Sequence, residues 1–163
     1  MIYAVEGDIL LSRAQVIAQE VAVGDLMVRG FSRKLKERYP MMATEFAEWC
    51  QQHDPEPGAV WLWGSLDKAL IVSLITRQGD ADNPGRPGKP TKLGIYRSLH
   101  ALNEMALTER FTSIAMPKIG TGIGGLDWDE VRGMMHSQLG ELLIPVFIYV
   151  TKLDGQVAFE PGL

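Results

Sequence analysis

Two near-continuous apolar runs constrain the fold of this chain most strongly. The segments ALIVSLI at residues 69–75 and PVFIYV at residues 145–150 lack the polar alternation of a strand with one wet face. Strands of this kind are buried on both sides, which requires helices on both faces of their sheet. We therefore predict an α/β fold of three layers, α/β/α, with a mixed, mostly parallel central sheet.

Short β-type runs alternate with helical periodicity along the rest of the chain. Helices are predicted over residues 31–39 (with the pattern continuing past Pro40), 91–106 and 128–139. Strands are predicted over residues 2–5, 15–21, 59–63, 69–76, 113–116 and 146–150. The third and fourth strands are separated by a short connection containing Gly64 and Ser65, which indicates a hairpin. With 163 residues and no internal repeat, we predict one domain spanning residues 1–163.

Two further segments have a predicted local structure. Residues 77–90 are rich in glycine and proline and form one long loop, which in a compact domain is usually functional or mobile. Asp127, followed three residues later by Glu130, resembles a capping pair that opens the last helix.

The composition argues against several classes of protein. A formal net charge of −4 disfavours a broad basic face for nucleic acid, although the basic run at residues 33–38 leaves room for a local docking patch. No apolar run approaches the roughly 20 residues of a membrane helix, and the N-terminus does not resemble a signal peptide. The single cysteine, Cys50, excludes an internal disulfide and an all-cysteine metal site. We expect a cytoplasmic monomer with no cofactor, no metal and no membrane partner.

The strongest functional motif is the glycine-rich segment GTGIGG at residues 120–125, between an apolar strand and a helix. Glycines allow backbone N–H groups to point into one concavity, and the following helix N-terminus adds a positive dipole end. Both features suit a pyrophosphate. Taken alone, the pattern is a weak signal, and a tight turn with no ligand explains it equally well.

A second motif follows the first predicted strand. Gly7 and Asp8 place a carboxylate at the carboxyl edge of the sheet, where ligands of open α/β sheets bind. A carboxylate accepts a hydrogen bond from the adenine amino group, which would select adenine over guanine. The alternative role for Asp8 is to cap the turn that follows it.

Together these motifs resemble the macrodomain family, and the resemblance spans nearly the whole chain. It is carried, in order, by GDIL at 7–10, MVRG at 27–30, KERYP at 36–40 and PKIGTGIGGLDW at 117–128. The ending GGLDW is most similar to the branch that holds the terminal ADP-ribose–glutamate hydrolases and the antitoxin macrodomains that reverse DNA ADP-ribosylation.

The resemblance implies a role for each motif. Asp8, with Ile9 beside it, would bind adenine; residues 120–125 would wrap the diphosphate; residues 23–30 would close over the distal ribose. The implied ligand-binding residues are Asp8, Ile9, Ala22, Met27, Val28, Gly30, Gly120, Thr121, Gly122, Ile123, Gly124 and Gly125.

Four positions depart from the family pattern, two at the distal ribose, one just after the fourth strand and one in the phosphate loop. Ala22 stands where relatives carry asparagine, Val28 replaces a glycine, Arg77 replaces a lysine, and Gly124 replaces an acidic residue. Arginine stays protonated and is a poor nucleophile, so the chemistry of the family lysine does not transfer to Arg77. Arg77 and Asp127 remain as catalytic candidates, although Asp127 is expected to cap its helix.

Three functions are consistent with these residues. The first is a module that recognises ADP-ribose or ADP-ribosylated protein or nucleic acid. The second is a glycohydrolase that removes ADP-ribose from acidic side chains or nucleic-acid bases by attack of a water molecule, with Lys89 or Lys92 as less favoured nucleophiles. The third is a degenerate macrodomain that serves as an interaction scaffold.

Overall fold

The computed structural model describes residues 1–64, 69–122 and 125–163, in which six strands and four α-helices form. The strands are β1 (Ile2–Gly7), β2 (Val16–Ala22), β3 (Val60–Gly64), β4 (Leu70–Arg77), β5 (Ile114–Pro117) and β6 (Val146–Lys152). The helices are α1 (Gly30–Arg38), α2 (Pro40–His53), α3 (Lys92–Thr108) and α4 (Trp128–Leu139), and a short 3-10 turn covers Ile9–Leu11. None of the helices in these ranges is long and apolar enough to cross a membrane.

The strands form one sheet in the order β1-β6-β5-β2-β4-β3. Neighbouring strands run parallel except β3, which is antiparallel to β4. The predicted mixed, mostly parallel sheet and the predicted hairpin are therefore confirmed. The hairpin connection, including Ser65, lies outside the described residues. Because β1, β2, β4, β5 and β6 run in the same direction, their carboxyl ends share one edge of the sheet.

Helices cover both faces of the sheet, as the buried strands require. On one face, α3 and α4 contribute Leu99 and Val131 to a fully buried apolar cluster with Val72 of β4. On the other face, α1 and α2 contribute Leu35 and Phe46 to a second buried cluster. The predicted three-layer architecture is confirmed.

Two local predictions need correction. The helical pattern predicted to continue past residue 39 is broken into α1 and α2 at Tyr39, because Pro40 has no N–H to donate within a helix and starts a new one instead. Asp127 occupies the N-cap position of α4, but its side chain makes no capping hydrogen bond. Its expected partner, Glu130, pairs with Lys92 of α3 at 2.9 Å, an ion pair between helices that local sequence does not reveal.

The segment after β6 returns to the end of β1. The Leu153 N–H donates to the Gly7 carbonyl (3.1 Å), and the Asp8 N–H donates to the Gln156 carbonyl (2.7 Å). Gly7 is required here, since a Cβ atom at that position would lie 2.8 Å from Ala158. This C-terminal segment therefore holds the residues that follow β1 in place.

The C-terminal segment is anchored by a buried carboxylate. Glu160 accepts hydrogen bonds from the Ser12 hydroxyl (2.5 Å), the Arg13 N–H (2.8 Å) and the Tyr149 hydroxyl (3.0 Å). Burial is the main cause that raises the pKa of Tyr149 to about 12, so its hydroxyl stays protonated and able to donate. The three bonds join β6, the residues after the 3-10 turn and the end of the chain.

Candidate functional site

Two adjoining cavities lie at the carboxyl edge of the sheet. The smaller, of about 100 Å³, is formed by the ends of β1 and β6 and by α1. The larger, of about 480 Å³, is formed by the ends of β2, β4 and β5, the start of α1 and the long loop. Phe31 and Pro117 line both, so the cavities adjoin one another. An elongated ligand can therefore occupy both.

Asp8 lines the smaller cavity and also caps the turn that follows it. One carboxylate oxygen accepts the Leu10 N–H at 3.0 Å, and the other accepts the Gly155 N–H at 2.9 Å. An ionised carboxylate offers about four lone-pair positions, so two hydrogen bonds leave capacity for a ligand. The capping role and the ligand-binding role proposed for Asp8 are thus compatible.

The glycine-rich segment forms a closed turn beside the larger cavity. Gly120 has a φ of +71°, the Leu126 N–H donates to its carbonyl at 2.6 Å, and the Gly125 N–H donates to the Gly122 carbonyl at 2.7 Å. A Cβ atom at Gly125 would lie 2.5 Å from the Gly120 oxygen, so the turn needs glycine there. Thr121 and Gly122 line the cavity. The predicted residues Ile123 and Gly124 lie outside the described residues.

Glu20 is a site residue that sequence reasoning missed. Its carboxylate accepts the Gly120 N–H at 2.9 Å and the Thr76 hydroxyl at 2.7 Å, and lies 3.9 Å from the Arg77 guanidinium. Only 14% of the side chain is exposed, and it lines the larger cavity. The available signal was its position as the one charged residue inside the mostly apolar strand β2.

The larger cavity is lined by both signs of charge. Three cations, Arg29, Arg77 and Lys118, line it together with the carboxylates of Glu20 and Asp25. The Arg77 Nη1 donates to the Gly88 carbonyl at 3.4 Å, while its buried Nε has no hydrogen-bond partner among the described residues. Cations at this edge favour an anionic ligand, and the carboxylates offer acceptors for hydroxyl groups.

Asp25 shapes the loop that precedes α1. Its carboxylate accepts the Ala22 N–H at 3.0 Å and the Met27 N–H at 2.8 Å. The same loop is joined to the long loop by a hydrogen bond from the Leu26 N–H to the Gly85 carbonyl, at 3.0 Å. Of residues 77–90, Arg77, Pro87 and Gly88 line the larger cavity.

The predicted site residues separate into two groups. Those that line a cavity are Asp8, Ile9, Gly30, Arg77, Thr121 and Gly122. Ala22, Met27 and Gly120 are buried, and Val28, Gly125 and Asp127 are exposed. None of these six lines either of the two cavities.

The other charged groups singled out in the sequence are dispersed. Lys92 pairs with Glu130, and Lys89 is exposed. In the basic run at residues 33–38, Arg33 pairs with Glu37, and Lys36 and Arg38 donate to backbone carbonyls. Of that run, Lys34 alone lines one of the two cavities described above. Within the described ranges, no group of three or more His, Cys, Asp or Glu side chains is placed to hold a metal ion.

Comparison with known proteins gives a consistent family match. A family model described as Macro domain matches residues 26–135. The chain is 30% identical over 159 residues to a DNA ADP-ribosyl transferase–DNA ADP-ribosyl glycohydrolase fusion protein of Thermosipho africanus. That match covers 90% of this chain and 41% of the fusion protein, so the chain spans about two fifths of its relative's length.

Solved structures share the fold. The Thermosipho africanus DarTG structure in complex with ADP-ribose has a TM-score of 0.80 at 27% identity, covering 96% of this chain and 42% of that one. The macrodomain of Mycobacterium tuberculosis DarG has a TM-score of 0.80 at 25% identity, covering 93% of this chain and 99% of that one.

Proposed function

This chain belongs to the macrodomain family, and from that premise we propose that it binds ADP-ribose, free or attached to a protein or a nucleic acid. The observation that carries the proposal is the pair of adjoining cavities, with Asp8 in one and the glycine-rich turn beside the other. The similar Thermosipho africanus DarTG structure holds ADP-ribose, which supports the same ligand here.

The cavities suggest how the ligand lies. Adenine occupies the smaller cavity, where the Asp8 carboxylate accepts from its amino group. The diphosphate runs along Thr121 and Gly122, with Arg29 and Lys118 close enough to balance its charge. The distal ribose then enters the deeper part of the larger cavity, near Glu20.

Calorimetric titration with ADP-ribose tests this proposal directly. We expect saturable heat and a rise in the thermal unfolding temperature, because a ligand that binds only the folded state stabilises it. If millimolar ADP-ribose produces no heat and no thermal shift, ADP-ribose binding is contradicted and the interaction scaffold is favoured.

Asp8→Ala is expected to weaken ADP-ribose binding by about 1–3 kcal/mol, the usual cost of an unmatched buried polar group. The loss of the cap alone could weaken binding indirectly, so the comparison ligand is inosine diphosphate ribose, which lacks the amino group. We expect the native chain to prefer ADP-ribose and the variant to bind both ligands equally in calorimetry. A preference for ADP-ribose that survives in the variant would show that Asp8 does not contact adenine.

A second activity, hydrolysis of the ADP-ribosyl bond, is favoured by the Glu20 carboxylate in the larger cavity and by relatives named as DNA ADP-ribosyl glycohydrolases. We propose that water attacks the anomeric carbon of the distal ribose and that Glu20 takes the proton of that water. The bond to the nucleic-acid base breaks, its electrons stay on the leaving atom, and solvent protonates that atom. This route needs no lysine nucleophile and leaves Arg77 to balance charge.

Incubation with a mono-ADP-ribosylated oligonucleotide, and separately with a glutamate-ADP-ribosylated protein, tests the second activity. Released ADP-ribose is measured by chromatography, with each substrate alone as the control. We expect release from the oligonucleotide. Tight binding of ADP-ribose with no release from either substrate would leave recognition without turnover as the function.

A further inference from the structure

Two lysine side chains converge on the rim of the smaller cavity. Lys34 comes from α1 and Lys152 from the end of β6, and both line the cavity together with Asp8. They lie far apart in sequence and come together because the register of the sheet places Lys152 beside Gly7, immediately before Asp8. Neither lysine has a role in the binding of ADP-ribose as proposed above.

Both amines are directed at the same point. Lys34 Nζ lies 3.3 Å and Lys152 Nζ lies 3.8 Å from the same oxygen of Asp154. The interaction between the two amines is the main cause of opposite pKa shifts, upward for Lys34 and downward for Lys152. Two lysine side chains thus share one carboxylate that is itself 68% exposed.

Exposed ion pairs of this kind contribute little stability, typically about 0–1 kcal/mol, so Asp154 is a weak competitor for the amines. A phosphate monoester carries up to two negative charges and three acceptor oxygens, and forms stronger charge-assisted hydrogen bonds than a single solvated carboxylate. Lys34 and Lys152 are therefore better suited to bind a phosphate than the Asp154 carboxylate that they now share.

The position of the rim indicates where such a phosphate would be attached. With adenine at Asp8 and the diphosphate at Gly122, the adenosine ribose lies between them, next to the shared residues Phe31 and Pro117. Phe31 and Lys34 are three residues apart in α1 and therefore project from the same side of the helix. Lys34 thus stands beside the adenosine ribose, and Lys152 lies next to it through their shared partner Asp154.

We propose that the rim formed by Lys34 and Lys152 binds a phosphate carried on the adenosine ribose, so that the site takes phospho-ADP-ribose in preference to ADP-ribose. The proposal rests on the ADP-ribose orientation given above and extends it to a phosphorylated adenosine end. The 2′ and 3′ hydroxyls of that ribose are the two positions at which the phosphate can be carried.

Calorimetry on the full chain tests the proposal with four probes: ADP-ribose, 2′-phospho-ADP-ribose, adenosine 2′,5′-bisphosphate and adenosine 3′,5′-bisphosphate. We expect about tenfold tighter binding of 2′-phospho-ADP-ribose than of ADP-ribose at low salt, with the ratio decreasing as salt is added. The two bisphosphates, each compared with AMP, show which hydroxyl position is preferred.

Lys34→Gln and Lys152→Gln are expected to reduce that tenfold ratio toward one, each ratio being taken against the same variant's own affinity for ADP-ribose. Lys92→Gln is the matched control, since Lys92 is also an exposed lysine paired with a carboxylate but does not line either cavity. It should retain the full ratio, and thermal unfolding confirms that each variant is folded.

The outcomes distinguish this inference from the proposed function. The rim site is overturned if ADP-ribose binds but the phosphorylated ligand binds no tighter. It is also overturned if both lysine variants keep the preference for the phosphorylated ligand. Both results leave the proposed function intact. Failure to bind ADP-ribose overturns the proposed function. In that case, bisphosphates that bind tighter than AMP still support the rim, and bisphosphates that bind no tighter overturn it.

Discussion

Replacement of Gly122 by valine is expected to abolish ADP-ribose binding and leave the fold intact. Gly122 lines the larger cavity, and, its own chain neighbours aside, no atom of the described residues lies within 4 Å of the position that a Cβ would occupy. Its φ is outside the left-handed region, so the backbone there does not require glycine. The side chain would instead fill space reserved for the diphosphate. We expect at least about a 100-fold loss of affinity, slightly below 3 kcal/mol.

Gly133→Val is the matched control for this substitution. Gly133 lies in α4, outside both cavities, and a Cβ there also meets no described atom within 4 Å. We expect native affinity from that variant and native thermal unfolding from both. Tight ADP-ribose binding by Gly122→Val would show that the diphosphate does not follow the glycine-rich turn. Gly125→Ala is unsuitable, because its Cβ would collide with the Gly120 carbonyl.

Glu20→Gln is expected to reduce turnover of an ADP-ribosylated oligonucleotide by about 100-fold or more, within the usual contribution of a general base. The amide keeps the local structure, since its oxygen can accept the Gly120 N–H and its NH₂ can donate to the Thr76 hydroxyl, which also accepts. The variant removes a negative charge from the cavity. We therefore expect kcat to fall while ADP-ribose binds as well as before or more tightly.

Glu6→Gln is the matched control for Glu20→Gln, because it too replaces a strand carboxylate that accepts a hydrogen bond from a threonine hydroxyl. Glu6 accepts from the Thr151 hydroxyl at 3.1 Å on the neighbouring strand, and lies outside the cavity lining. Single-turnover rates and ADP-ribose affinities of the two variants separate chemistry from binding. Native turnover by Glu20→Gln would remove Glu20 from the reaction, whereas loss of binding together with turnover would assign it a structural role at the glycine-rich turn.

Periodicity and local chemistry determined the architecture of this protein. Apolar strands such as β4 required helices on both faces, and the short β3–β4 connection required an antiparallel pair. The glycine-rich turn and the carboxylate after β1 were visible for the same reason, because each depends on adjacent residues. The strand pattern, the hairpin and the two motifs each depend on a short segment, and they can therefore be predicted from the sequence.

The assembly of the site was decided by the tertiary structure. Glu20 meets Gly120 across 100 positions in the chain, and Asp8 meets Gly155 across 147, because the strand order brings their elements together at one edge. Asp127 and Glu130 were expected to form a capping pair at the start of α4. Asp127 makes no capping hydrogen bond, and Glu130 pairs with Lys92 of α3. Such contacts depend on which strands and helices are neighbours in space. The sequence by itself determined the layers, the strand directions and the two motifs at the sheet edge, and only the tertiary structure decided which charged side chains surround them.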